Sequence, residues 1–152
     1  MSQVKQIKVN AIKNGTVIDH ITAGKIRKVL DILHLEGNEV VMVGMNLFSN
    51  KIGRKDIVKI ENKELSEFEV NSIALIAPEA TLIIIKDFEV AKKAHLQLPE
   101  HIEDIINCPN PKCITNSEPI ISKFKLTDDQ TSQVRCLYCE KKYLIDEVKI
   151  KK

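Results

Sequence analysis

All four cysteines of this chain fall after position 107, as Cys108, Cys113, Cys136 and Cys139, and no other feature limits its folding so tightly. The residues before them must build a core from apolar burial alone. The residues after them carry a constraint of their own, covalent or metallic. That partition favours two small units over one within 152 residues. The boundary is expected in the stretch 96–107, giving domains 1–97 and 98–152.

The cysteines form two close pairs, C-x4-C in CPNPKC and C-x2-C in CLYC. Short turns of this kind aim two thiolates each at one tetrahedral ion. Pro109 and Pro111 stiffen the first turn, and Lys112, Arg135, Lys141 and Lys142 surround the pairs with positive charge that would offset an excess of thiolate. The opening residues MSQVKQIKVN lack an apolar signal-peptide core, and no apolar run approaches the roughly 18 residues of a membrane span. A cytoplasmic protein with no membrane partner is therefore expected, and reduced compartments favour metal binding over disulfides. A redox dithiol is the other alternative. Cys136 and Cys139, however, sit in the strand-like run VRCLYCEKKYLI and not at a helix N-terminus. The prediction is one structural Zn2+ per chain, closed by four thiolates and performing no chemistry.

Before the cysteines, the apolar pattern alternates between periods of two and of about 3.6 residues. Extended stretches are expected at 4–12 and 16–21, separated by the turn signal Asn14-Gly15. Ile26, Val29, Leu30 and Leu33 mark a helix over 23–35, with Thr22 as N-cap and Gly37 as stop. Strands follow at 39–49 and 54–62. A second helix over 65–77 opens on the capping box Ser66 and Glu69 and ends at Pro78. A β-rich run over 81–96 closes the unit. This order predicts an α+β fold: a ferredoxin-like domain with an extra early strand, then a small β-rich zinc domain built on the four cysteines. A segment as short as the second needs a staple, which the cysteines supply.

Several motifs together carry a resemblance: GTVIDHI at 15–21, GRKDIVKIEN at 53–62, the Ala77-Pro78 break, and the two cysteine pairs. The chain resembles the regulatory chain of aspartate carbamoyltransferase over nearly its whole length. The resemblance implies a non-catalytic allosteric subunit of pyrimidine biosynthesis. Its first domain would bind nucleoside triphosphates, CTP as inhibitor and ATP as activator, with or without Mg2+. Its zinc domain would contact the catalytic chain, and its homodimers would bridge catalytic trimers. The nucleotide positions implied are Val9, Ala11, Ile12, Val17, Asp19, His20, Lys55, Lys59, Ile85, Phe88, Val90 and Lys93. The residue chemistry agrees with that assignment. Lys55 and Lys59 lie four apart on a strand and share a face, as a polyphosphate requires. Apolar and backbone groups at 11, 12, 88 and 90 can wall a base, and Asp19 can meet ribose or a phosphate-bound cation. The ordinary alternatives are a solvated lysine face and a surface hydrogen bond between His20 and Asp19. Ile83 and Phe88 depart from the asparagine and tyrosine of well-known members, which bears on nucleotide selectivity.

No paired carboxylates, nucleophile with base, or Gly-rich phosphate loop marks an enzyme. A zinc ribbon bound to nucleic acid is the rival class, but the formal net charge is only +2 and aromatic residues make up 4% of the chain. No nucleic-acid partner is expected. Leu96 to Ile106 is the expected connector, with Ile102, Ile105 and Ile106 packing between domains. Val41 to Phe48 is more apolar than one sheet face needs, and is expected to form the homodimer.

Overall fold

The computed structural model describes residues 11–127 and 133–151. β1 (Gly15–Thr22), α1 (Ile26–Ile32), β2 (Val41–Ser49), β3 (Gly53–Glu61), α2 (Glu67–Ile76), β4 (Thr81–Lys86) and β5 (Glu89–His95) build the first unit. Its sheet has the order β2-β3-β1-β4-β5, and every neighbouring pair is antiparallel. This is the ferredoxin-like arrangement with β5 added at one edge. The helices cover one face, where Ile18, Ile21, Val29, Leu33, Val58, Ile60 and Ile73 are buried. Of the expected early strand at 4–12, only residues 11 and 12 are described, and they are irregular.

Helix α2 begins as its sequence dictates. The Glu69 N–H donates to Ser66 Oγ at 3.1 Å, and the Ser66 N–H donates to Glu69 Oε1 at 3.0 Å, closing the capping box. Helix α1 departs from expectation at both ends. Its N-cap is Lys25, without a side-chain cap, and not Thr22. The amides at its start instead donate to a strand carboxylate, Gly24 N–H at 2.9 Å and Ile26 N–H at 3.2 Å to Asp56 Oδ2. It stops before Gly37, because His34 turns into the left-handed region at φ 47° and the Glu39 carboxylate draws the Glu36 and Gly37 amides into a turn.

Two further departures shape the sheet. The run 81–96 is a hairpin, with Asp87 and Phe88 at φ 51° and 67° in a two-residue turn that demands positive φ twice. Its amides are held from outside: Asp87 N–H donates to Asn14 Oδ1 at 3.1 Å and Phe88 N–H to the Lys13 carbonyl at 2.9 Å. In β1 the register against β3 shifts between Ile18 and Ile21, so Asp19 and His20 together oppose Ile57. That bulge holds His20 at φ 56°. A second bulge in β2, at Met45 and Asn46, is closed by Asn46 N–H donating to Asp56 Oδ1 at 2.8 Å.

Gly15 pairs with both Glu61 and Ile85, and a side chain there would collide with the Ile60 carbonyl oxygen. Gly15→Ala is expected to lower stability by about 1–3 kcal/mol. Urea unfolding with an unchanged midpoint would show instead that β1 and β3 can part at no cost.

The second unit contains β6 (His101–Glu103), β7 (Ile106–Asn107), β8 (Lys123–Leu126), β9 (Gln133–Cys136), β10 (Lys142–Leu144) and β11 (Lys149–Ile150). Four of these form a sheet in the order β10-β9-β8-β6, and β11 pairs with β7. Ile102, Ile105, Ile106, Phe124 and Val134 are buried with Cys108, Cys113 and Cys136. The connector divides its loyalty: Leu96 belongs to the first core, whereas Leu98 and the isoleucines join the second. Leu75 of α2 is buried in the second core, and Ile150 packs against both. Lys25 Nζ meets Asp146 Oδ1 at 2.8 Å across this seam. A cavity of about 280 Å3 beside Ile32, Leu75, Ile145 and Ile150 leaves the seam loosely filled. Among the described residues no helix is long and apolar enough to cross a membrane.

Candidate functional site

The cysteine pairs converge from two directions. Cys108 to Cys113 is a turn organised by Asn116, whose side-chain amide donates to the Cys108 and Asn110 carbonyls at 2.9 and 2.6 Å. Cys136 ends β9, and the reverse turn through Cys139 closes with Glu140 N–H donating to the Cys136 carbonyl at 2.9 Å. All four sulfurs lie within 4.8 Å of one another. Across the two pairs, Cys108 and Cys139 are 3.7 Å apart, as are Cys113 and Cys136. A disulfide holds its sulfurs at about 2.05 Å, so these thiols are free. A tetrahedron with metal–sulfur bonds of about 2.3 Å has edges of about 3.8 Å, which the two 3.7 Å separations match. The donor set therefore fits a tetrahedral thiophilic ion.

Burial raises the Cys113 thiol, but bonds from Thr115 and neighbouring cysteines outweigh it and bring the group down to about 7. The Thr115 hydroxyl donates to Cys113 Sγ at 3.2 Å. Burial pushes Cys108 up to about 12. Unequal thiols packed together in this way are what a cation would level, since only deprotonated sulfur ligates.

The face of the first sheet opposite the helices gathers most of the nucleotide positions implied by the resemblance. Register places Met42, Lys59, Val17, Ile83 and Lys93 side by side across β2, β3, β1, β4 and β5. Gly15, Ile85 and Val90 form the next row on one side. Asp19, Thr81 and His95 lie on the other. Apolar Val17, Ile83 and Ile85 thus occupy the middle, with Lys59 and Lys93 flanking. The bulge in β1 turns both Asp19 and His20 to this face, which strict alternation would forbid. Phe88 and Val90 project into solvent, 63% and 60% exposed. Ala11 is exposed and Ile12 half-buried in the irregular segment before β1. Val9 lies outside the described residues.

Lys55 is not a free cation. Its Nζ lies 2.8 Å from Asp19 Oδ1, which also accepts the His20 N–H at 2.6 Å. Burial raises the Asp19 carboxyl, but Lys55 and the His20 amide more than compensate and hold it below the ordinary carboxylate range. Its share of stability is therefore present above the unfolded-state value and is lost as pH falls through the lower folded one. Thr81 and His95 carry no signal in the sequence, and only the pairing of β1, β4 and β5 brings them to this face.

Residues 7–97 match the family described as aspartate carbamoyltransferase regulatory chain, allosteric domain. Residues 100–149 match the same chain's metal binding domain. Relatives bearing the name aspartate carbamoyltransferase regulatory chain include one from Thermococcus sibiricus, 50% identical over 91% of this chain and 92% of that protein. One from Methanosphaera stadtmanae is 48% identical over 94% and 95%. One from Aeromonas hydrophila is 45% identical over 97% of each.

Proposed function

We propose, for a chain that belongs to the aspartate carbamoyltransferase regulatory chain family, that residues 1–97 read nucleoside triphosphates and residues 98–152 dock on the catalytic chain. The subunit is itself non-catalytic, with an allosteric and a metal-binding domain. The row Lys59, Val17, Ile83 and Lys93 carries the nucleotide reading. An apolar strip between fixed cations offers a wall to a base and charge to its phosphates. On this reading CTP inhibits and ATP activates, each through its differential affinity for two quaternary states.

Cys108, Cys113, Cys136 and Cys139 would hold one Zn2+, which when bound supplies a structural crosslink. Ile114, Leu137 and Tyr138, which adjoin the cysteines in the chain, stand exposed and suit a protein contact. Edge strand β2 exposes Val43, Met45, Leu47 and Phe48, which favours a homodimer that bridges catalytic trimers. The reading places the assembly in the cytoplasm.

The test is aspartate saturation kinetics of catalytic trimers reconstituted with this chain, titrated with CTP and with ATP. Lys59→Ala or Lys93→Ala is expected to shift the nucleotide midpoint at least tenfold, since a charge-assisted bond contributes about 1.5–3 kcal/mol. An assembled complex whose nucleotide response is the same in wild type and both variants would refute the assignment of this face.

A further inference from the structure

Thr81 is fully buried on β4, yet its hydroxyl faces two imidazoles. Thr81 Oγ1 lies 3.4 Å from His20 Nδ1 and 3.3 Å from His95 Nδ1. His95 is its direct partner on β5, and His20 arrives from β1 only because of the bulge. A hydroxyl has one proton and two lone pairs. It can satisfy only one of two neutral rings that present a bare Nδ1. It can accept from both when each presents Nδ1–H, as a protonated ring must. In every case Nδ1 is turned toward Thr81, leaving Nε2 as the atom each ring offers elsewhere.

The surroundings favour an anion. Asp19 beside His20 is already engaged by Lys55, Lys51 and Lys93 also act on His20, and Glu79 with Lys51 borders His95. We propose that Thr81 is a positioning residue that holds His20 and His95 as a proton-accepting pair for the phosphates of a bound nucleoside triphosphate, so that binding takes up protons. The proposal rests on the nucleotide reading above. In the free protein, burial first, then Lys55, Lys51 and Lys93, hold the His20 ring below its ordinary value, although Asp19 opposes them. A polyanion reverses that balance, and the proton comes from solvent. Affinity should therefore rise as pH falls from about 8 to about 6.

The experiment is calorimetry of CTP and of ATP binding to the full, zinc-loaded chain in buffers of different ionisation enthalpy, for wild type, Thr81→Val and Thr81→Ser. Far-UV circular dichroism verifies folding of each variant, and the nucleotide's own ionisation is common to all three. Wild type and Thr81→Ser are expected to take up protons. Thr81→Val is expected to lose the uptake and to bind roughly tenfold more weakly near pH 6, converging on wild type near pH 8. Wild-type proton uptake in Thr81→Val would overturn the proposal, as would an equal loss of affinity at every pH, which marks a merely structural role. Wild type binding neither nucleotide at any pH would instead remove the underlying reading, and this proposal with it.

Discussion

Removal of the bound metal by a thiol-competing chelator is expected to unfold the second unit while the five-stranded sheet persists. The second unit contributes few buried side chains besides its cysteines, and a structural zinc supplies about 10–16 kcal/mol of apparent binding energy in modules of this size. The seam cannot carry that loss to the first core. It rests on Leu75 and the half-buried Phe68 of α2, Ile150, one exposed ion pair and a partly empty cavity. Uncovering Leu75 withdraws about 1.5–3 kcal/mol of apolar burial from the first unit, enough to shift its transition but not to abolish it. The chain offers a convenient reporter. It has no tryptophan and only two tyrosines, Tyr138 and Tyr143, both in the second unit. Tyrosine emission should change on chelation while far-UV dichroism keeps a cooperative thermal transition. Loss of both signals together would show that the units fold as one.

Asp56 is the other point of greatest leverage. Its carboxylate is fully buried and accepts three backbone N–H groups, from Gly24, Ile26 and Asn46. Bonds to a charged acceptor are worth about 1.5–3 kcal/mol each, though they do not add in full. Asp56→Ala is expected to cost about 4 kcal/mol, because it also strands three donors. Asp56→Asn should recover little. Its amide either keeps the Asn46 bond and turns NH2 on both Gly24 and Ile26, or keeps those two and turns NH2 on Asn46, so a donor faces a donor in both orientations. Urea denaturation with an unchanged slope measures both. A loss below about 1 kcal/mol for Asp56→Ala would mean that water or a rearranged loop replaces the carboxylate.

Asp56 also marks where sequence reading reaches its limit. Ser66 and Glu69 announce α2 correctly because a capping box is local, three residues from end to end. The start of α1 escapes such a reading because its acceptor lies 30 residues downstream on another strand, a contact that no periodicity encodes. The same holds for the β4–β5 turn. Asp87-Phe88 lacks the glycine that usually signals positive φ, and the turn is held instead by Lys13 and Asn14. The cysteine centre is legible because two short loops bring their own ligands in pairs, so only the meeting of the pairs is left to tertiary structure. The proposed nucleotide face stands between these cases. Lys55 and Lys59 follow from strand alternation, but His20 needs a bulge, and Thr81 and His95 need the register.

The row formed by Lys59, Val17, Ile83 and Lys93 crosses four neighbouring strands, so no loop can open it alone. An occupant would bridge strands whose separation requires breaking the sheet itself. Amide hydrogen exchange should then slow throughout β1, β3, β4 and β5 on nucleotide binding, deep positions included, and not only beside the ligand. A regulator built this way would register an effector in the cooperative unit that keeps it folded, and any quaternary signal would set out from the whole sheet.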